Sequence, residues 1–332
     1  MICRKITEWR WDMKKRTLGW TGLELSVVGL GTWAAGGGDW KFGWGPQDDD
    51  DTIKTVREAV DCGINWIDTA AVYGLGHSET VVGKAIKGIR ENIILATKCE
   101  RRWDAGGSGI YGSLKKKDIK KECEDSLSRL STGYIDLYQI HWPQPEEDIV
   151  EGWVAVNELI KEGKVRFGGV SNFSTEQMEK IRPSGKIASL QPPYSMLKRG
   201  IEKDQMAYCR ENNIGMVTYS PMEKGLLTGK VTMEWVKALS ESDHRKRDTN
   251  FTEPQLAKNM ELIDKLRIVS QKAGITLSLL AIAWILRRPE ITAAIVGARK
   301  PGQIQETAAA GEITLDADVI REIDAILDEP HI

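Results

Sequence analysis

The sequence predicts an α/β fold: a (β/α)8 TIM barrel with an N-terminal β-hairpin and a long insertion after the seventh strand. Three observations carry that prediction. Eight short β-rich runs, at 27–30, 64–68, 93–98, 135–140, 165–170, 187–191, 214–219 and 293–297, alternate with longer segments of helical periodicity. Up to the seventh run the steps are roughly 22 to 42 residues, the length of a βα unit, and right-handed crossovers between parallel strands close most simply into a barrel. Asp68, Lys98 and His141 stand at, or one residue past, the ends of three consecutive runs, so a parallel barrel brings an acid, an amine and an imidazole to one rim. A doubly wound sheet is the alternative.

Residues 1–13 carry Arg4, Lys5, Glu8, Arg10 and Asp12 without an apolar stretch and read as a flexible tail, leaving 14–332 as one barrel domain. Lys14–Ser26 has two short halves around Gly19-Trp20-Thr21-Gly22, the pattern of a hairpin able to plug the barrel bottom. The first helix is marked by Ile53, Val56 and Val60, the fourth by Val150, Val154, Val156, Leu159 and Ile160. The last step is about 79 residues and includes Pro221–Pro254 before helical stretches at 256–272 and 277–288. An insertion there is a candidate lid over the rim with Gly225 and Gly229 as hinges, or else a surface excursion.

Composition narrows the partners. With 332 residues, 41% apolar content, a net charge of -2 and a pI near 6.2, the chain has a large core and no overall basic surface, which argues against nucleic acid or an anionic membrane. A small molecule is the expected ligand. Cys3, Cys62, Cys99, Cys123 and Cys209 are odd in number and scattered, as expected of reduced thiols in a cytoplasmic protein. His141 has no companion at metal-binding spacing, so no metal site is expected. Oligomeric state is not legible.

Taken singly, Asp68 reads as a helix cap, Lys98 as a solvated charge and His141 as a turn histidine. Together they suit acid–base chemistry. An ammonium after the apolar run Ile93–Thr97 needs a carboxylate partner, and Asp68 on the neighbouring strand supplies it. A lysine cation beside the Tyr73 phenol is expected to lower its pKa toward working pH, making Tyr73 a general acid or base. His141 then orients a reacting oxygen rather than carrying the proton.

The stretches GLGTW (29–33), GINWIDTAAVYG (63–74), ATK (96–98), LYQIHWP (137–143), GVSNF (169–173), QPPYS (191–195) and TYSPMEKGLLTGK (218–230) occur in order, and the chain from about 14 to 310 resembles the aldo-keto reductases. The motifs look like the bacterial general-stress and inositol-linked branch, itself similar to potassium-channel β subunits. The resemblance implies NAD(P)H-dependent reduction of aldehydes or ketones, with Asp68, Tyr73, Lys98 and His141 as the catalytic tetrad.

Gly29-Leu30-Gly31-Thr32-Trp33-Ala34 fits a loose dinucleotide fingerprint, yet a Gly-rich, helix-hostile loop follows it, so a Rossmann reading is rejected. The resemblance instead places Gly31, Thr32, Trp33 and Asp68 beside the nicotinamide and stacks Tyr219 on it. Ser171, Asn172 and Gln191 end the fifth and sixth strands; they read as a carboxamide clasp or as ordinary helix-capping turns, and the resemblance favours the clasp. Ser220, Pro221, Gly225, Leu226, Thr228 and Lys230 offer backbone amides and a cation to a pyrophosphate. After the eighth strand, Gly297, Arg299 and the start of a helix near Gly302 suit a phosphate, which favours NADP(H) over NAD(H). Many relatives carry Lys-Ser at 297–298 and Arg at 303; here Gly297, Ala298 and Gln303 stand there, leaving Arg299 with most of the NADP case and Gln303 and Glu306 near the adenine.

Trp33, Trp40, Trp44, Trp103, Tyr111 and Trp142 fall in loops of the expected rim and read as walls of a pocket for apolar or aryl carbonyl substrates, unless the loops fold back and hide them. Two other functions share these residues: a cofactor-binding regulatory subunit of the channel β type, and a lyase or isomerase using Lys98 as a Schiff-base amine.

Overall fold

The computed structural model describes residues 13–38, 40–104, 106–107 and 109–329. The expected tail, apart from Met13, and Cys3 lie outside the described residues; Met13 is buried in the core. The chain begins with strands β1 (Lys15–Thr17) and β2 (Glu24–Ser26), then β3 (Val28–Gly31), α1 (Asp49–Asp61), β4 (Trp66–Asp68), α2 (His77–Ile86) and β5 (Ile94–Cys99). An added hairpin, β6 (Arg101–Trp103) and β7 (Ile110–Gly112), precedes α3 (Lys116–Leu130), β8 (Ile135–Ile140), α4 (Ile149–Lys161), β9 (Val165–Ser171), α5 (Thr175–Ile181), β10 (Ser189–Gln191), α6 (Gln205–Glu211) and β11 (Gly215–Thr218). The chain ends with α7 (Met233–Lys237), α8 (Gln255–Lys272), α9 (Leu277–Leu286), β12 (Ala293–Gly297), α10 (Pro301–Ala308) and α11 (Ala317–Leu327).

Eight parallel strands close in the order β3-β4-β5-β8-β9-β10-β11-β12, with β12 pairing back to β3 through Ala294↔Val28 to Gly297↔Gly31. The barrel expectation is met, and each expected run overlaps one of these strands to within two residues at either end. Glycines in β3 serve this closure rather than a dinucleotide turn: the Trp66 indole lies against Gly29, where an added Cβ would come within 2.0 Å of its ring.

The hairpin β1–β2 plugs the bottom, as expected. Leu18, Leu23 and Leu25 pack beneath Trp66, Leu137, Val217 and Ile295 inside the barrel, while Asn65 ties the hairpin down by accepting from Ser26 N at 2.8 Å and donating to Glu24 O at 2.7 Å. Filling the lower barrel with side chains leaves only the rim at the strand C-termini for chemistry. Around the outside, α4 departs from the expected stripe: Trp153, fully buried, is the main packing residue, whereas Val154 is 37% exposed. Trp153 fills the helix–sheet interface beside Gly168, turning the buried face one position from the aliphatic pattern. Among the described residues no single helix is long and apolar enough to cross a membrane.

Candidate active site

Asp68, Lys98 and His141 converge because three adjacent barrel strands end together. Ladder pairing aligns Asp68 with Ala96 and Lys98 with Gln139, and His141 N donates to Cys99 O at 3.1 Å just above. Lys98 Nζ donates to Asp68 Oδ1 at 2.6 Å and to Thr69 O at 2.9 Å, and lies 3.4 Å from the Tyr73 hydroxyl. Lys98 and Asp68 are 1% and 3% exposed, so this is a desolvated pair whose charges need one another. The His141 ring meets Tyr73 edge-on, with centroids 5.9 Å apart.

The electrostatics differ from expectation at Tyr73. Burial raises its phenol well above the usual value and the Asp68 carboxylate adds to the rise, so the hydroxyl keeps its proton. The Lys98 charge does not lower the phenol because in the folded site Asp68 already offsets it. Burial likewise pulls the Lys98 amine down, opposed by Asp68. His141 is pushed well below its usual value by burial and then by the Lys98 and Arg101 charges, which makes it a neutral imidazole. This suits an orienting hydrogen-bond donor better than a proton carrier.

Around this pair lies a second ring of polar groups, of which Gln139 and Ser189 were not foreseen. Asp68 Oδ2 accepts from Gln191 Nε2 at 2.9 Å and Gln139 Nε2 at 3.4 Å, with Ser189 bonded to Gln139 below. Gln139 alternates inward with Leu137 and His141, a period-two signal that was present in the sequence. Gln191 thus spends its amide nitrogen on Asp68. Ser171 Oγ donates to Gln191 O at 2.8 Å, and Asn172, at φ 62, donates to His141 O at 3.0 Å and accepts from the Tyr219 hydroxyl at 2.8 Å. Thr32 is buried, its hydroxyl donating to Asp68 O at 3.1 Å. The expected nicotinamide-side residues therefore surround Asp68 and Tyr73 as one network.

The rim aromatics divide. Trp33 stacks on Tyr73 at 6.2 Å, Trp40 tilts against it at 6.3 Å, and Trp44 meets Trp33 edge-on at 5.3 Å. Ile110 of β7 and Leu75 complete this apolar cluster, neither of them expected. Trp103 departs from the expected pocket: its ring faces the Arg129 guanidinium at 5.9 Å and is absent from the cluster around Tyr73. Tyr111 and Trp142 are exposed at 49% and 37%, Trp142 under the Arg101 guanidinium at 5.6 Å.

The long insertion crosses the rim as a strap. Trp44 pairs with Asp243, His244 N donates to Gly43 O at 2.9 Å, and Arg247 Nη2 donates to Lys41 O at 2.9 Å. His244 is sandwiched by Trp33 and Trp44, and its Nε2 is buried with no hydrogen-bond partner. Asp243 holds Arg245, whose guanidinium lies 4.5 Å from the Trp44 ring. At the base of the strap Gly225 and Gly229 adopt φ 105 and 70, which only glycine takes without strain.

The phosphate-side residues are also placed. Ser220 lies at φ 57, Pro221 and Leu226 are buried, and Thr228 Oγ1 donates to Gly225 O at 2.6 Å, so this segment presents backbone rather than side chains. Lys230 is exposed and 3.9 Å from Glu306. Gly297 is open at the rim, and Gln303 Oε1 caps α10 by accepting from Arg299 N at 2.8 Å and Lys300 N at 3.1 Å. The Arg299 guanidinium turns toward the loop before α1, donating to Gln47 Oε1 at 2.9 Å, Trp44 O at 3.1 Å and Pro46 O.

The buried, unpartnered His244 Nε2, a ring of small polar side chains at the mouth and a helix N-terminus flanked by Arg299 and Lys300 fit an elongated polar cofactor. Residues 27–328 match the profile described as the Aldo/keto reductase family. The chain is 40% identical over 93% of its length to the Aldo-keto reductase YhdN of Bacillus subtilis (strain 168), covering 92% of that protein. It is 36% identical over 94% of its length to the NADH-specific methylglyoxal reductase of Escherichia coli (strain K12), covering 98% of it. Among solved structures, the glycerol dehydrogenase AKR11B4 from Gluconobacter oxydans superposes with a TM-score of 0.84 at 37% identity, each chain covered over 94%. Fold, motif order and whole-length similarity agree that the chain belongs to the aldo/keto reductase family.

Proposed function

We propose that this oxidoreductase reduces apolar or aryl aldehydes and ketones to alcohols, with Tyr73 as the general acid and NADP(H) as the favoured cofactor. The observation that carries the reading is the Tyr73 hydroxyl, 3.4 Å from Lys98 Nζ, inside an aromatic cluster and edge-on to the His141 ring. A bound reduced nicotinamide supplies hydride to the carbonyl carbon. Tyr73 gives its proton to the carbonyl oxygen, and His141 donates a hydrogen bond that fixes that oxygen. The phenolate left behind forms beside the Lys98 ammonium, which moderates its charge and is itself held by Asp68.

A phenol that still carries its proton at neutral pH can act as the acid of reduction, with the Lys98 ammonium offsetting the phenolate as it forms; alcohol oxidation, which needs the phenolate, belongs at alkaline pH. Lys98 as a Schiff-base nucleophile is disfavoured by its ion pair, which keeps the amine charged. For the cofactor, Ser171 and Asn172 suit the carboxamide, Tyr219 the ring face, the backbone of 220–228 the pyrophosphate, and Arg299 a ribose phosphate. The relative named an NADH-specific methylglyoxal reductase makes NADH and methylglyoxal the comparison to run.

The test follows loss of reduced-cofactor absorbance with methylglyoxal and an activated aryl ketone, for the native protein and Tyr73→Phe. Losing a general acid costs about 10²–10⁴-fold in turnover, while cofactor binding, followed by quenching of tryptophan fluorescence, stays unchanged. A mutant as fast as the native protein would remove Tyr73 from the chemistry.

A further inference from the structure

Arg299 is the one strong donor the sequence offers to a phosphate on the adenosine ribose, and the fold does not leave it free. Its Nε donates to Gln47 Oε1 at 2.9 Å, Nη1 to Trp44 O at 3.1 Å, and Nη2 to Pro46 O. Gln47 returns a bond from Nε2 to Arg299 O at 2.9 Å and reaches Thr52 Oγ1 at 3.2 Å in the first turn of α1. The two residues thus clasp each other across a separation of 252 residues, the Gln47 side chain holding both the guanidinium and the main-chain carbonyl of Arg299.

A guanidinium has five N–H donors, and a phosphate is held best by two parallel ones. Three of the five are committed here, Nε and one on each terminal nitrogen. The side-on pair formed by Nε and its neighbouring Nη faces Gln47 and Pro46. A phosphate approaching Arg299 must either accept the two donors that remain, without the side-on pair, or displace the 44–47 loop. Displacement also strips the guanidinium from Trp44 O, and Trp44 is the residue on which the strap is seated through Asp243, His244 and Arg245.

We propose that Gln47 is a specificity-determining residue for the dinucleotide: by holding Arg299 against its own loop it withholds that cation from a 2′-phosphate and narrows the advantage of NADP(H) over NAD(H). The inference rests on the reading of Arg299 as the ribose-phosphate group given above. NADH, which has no phosphate there, binds without disturbing the clasp. NADPH gains the side-on donor pair of Arg299 only by breaking it.

The test is the dissociation constant of NADPH and of NADH, by tryptophan-fluorescence quenching, for the native chain, Gln47→Ala, Arg299→Ala and the double variant. Gln47→Ala is expected to tighten NADPH by about fivefold to tenfold, leave NADH within twofold, and lose this effect in the Arg299→Ala background. Gln47→Glu, which keeps the side chain's length and gives the guanidinium a carboxylate acceptor while losing the bond to Arg299 O, is expected to weaken NADPH more in the native chain than in the Arg299→Ala background, and covers a Gln47→Ala protein that fails to fold. An unchanged NADPH-to-NADH ratio in both Gln47 variants, or a change that persists without Arg299, overturns the proposal. If Arg299→Ala leaves that ratio unmoved both in the native chain and in the Gln47→Ala background, the ribose-phosphate reading itself fails; if neither dinucleotide binds the native chain, the cofactor reading fails with it.

Discussion

Lys98 Nζ and Asp68 Oδ1 stand 2.6 Å apart at the top of a barrel whose lower half is filled with side chains, both nearly inaccessible to water. Each charge is tolerable there only because of the other. Two amides, Gln139 and Gln191, complete the carboxylate's hydrogen bonding, so the pair belongs to a fully connected network.

Asp68→Asn should therefore do more damage than loss of one contact. It leaves the Lys98 ammonium buried without a counter-charge, a change that costs about 3–5 kcal/mol in comparable sites, unless the amine sheds its proton. Urea unfolding at neutral pH measures the stability loss, and turnover should drop at least as far, because a neutral Lys98 no longer offsets charge on Tyr73. Stability within 1 kcal/mol of native would mean that the pair is solvated in solution.

Much of this site was legible because strand period and strand spacing are one-dimensional signals. Asp68, Lys98 and His141 needed only run ends to be placed, and the hairpin needed only its central Gly-Trp-Thr-Gly. Gln139 was equally accessible by alternation but sat inside a run read as apolar. The insertion was legible as a candidate lid, but where it is seated was not: His244 meets Gly43 across 201 positions, and nothing in either loop's periodicity announces the other. Arg299 was legible as a cation after the eighth strand, yet what holds it depends on Gln47, which precedes the Asp48 cap of α1 and meets Arg299 only in the fold. Tyr73 shows the other limit, since its electrostatics turn on the sum of Lys98 and Asp68, which a neighbour-by-neighbour argument does not form.

Glu100, two residues after Lys98, predicts a pH effect on stability. It is fully buried at φ 91, with Arg101 Nε 3.4 Å away and Glu122 beside it. Burial, with Glu122 adding and Arg101 opposing, raises its carboxyl from 4.5 to about 9. The folded protein thus holds a proton that the unfolded chain releases near 4.5. This favours folding fully below that pH, and the contribution is lost as the pH climbs toward 9. Glu122, raised to about 8 by burial, acts in the same direction. In melting curves from pH 6 to 10, Glu100→Gln should flatten the alkaline decline and raise the melting temperature at pH 9 by roughly 3 °C. Parallel curves for the two proteins would show that Glu100 is ionised in the fold at neutral pH.

The division of the rim tryptophans gives a test of substrate class. Trp40 is 8% exposed and tilts over Tyr73 at 6.3 Å, in one apolar cluster with Val72, Leu75 and Ile110; Trp103 lies instead against Arg129. An aryl ketone held for protonation by Tyr73 rests against the first wall and never meets the second. An aromatic contact is worth about 0.5–1.5 kcal/mol beyond the area it buries, so Trp40→Leu, which keeps the position apolar, should raise KM for the aryl ketone by roughly two- to tenfold. Methylglyoxal, too small to span that wall, should change far less. Trp103→Leu should leave both substrates unaffected, with melting temperatures confirming that each variant is folded. A Trp103 effect equal to that of Trp40 would mean that the β6–β7 hairpin closes over the substrate, because its ring has no other route to Tyr73.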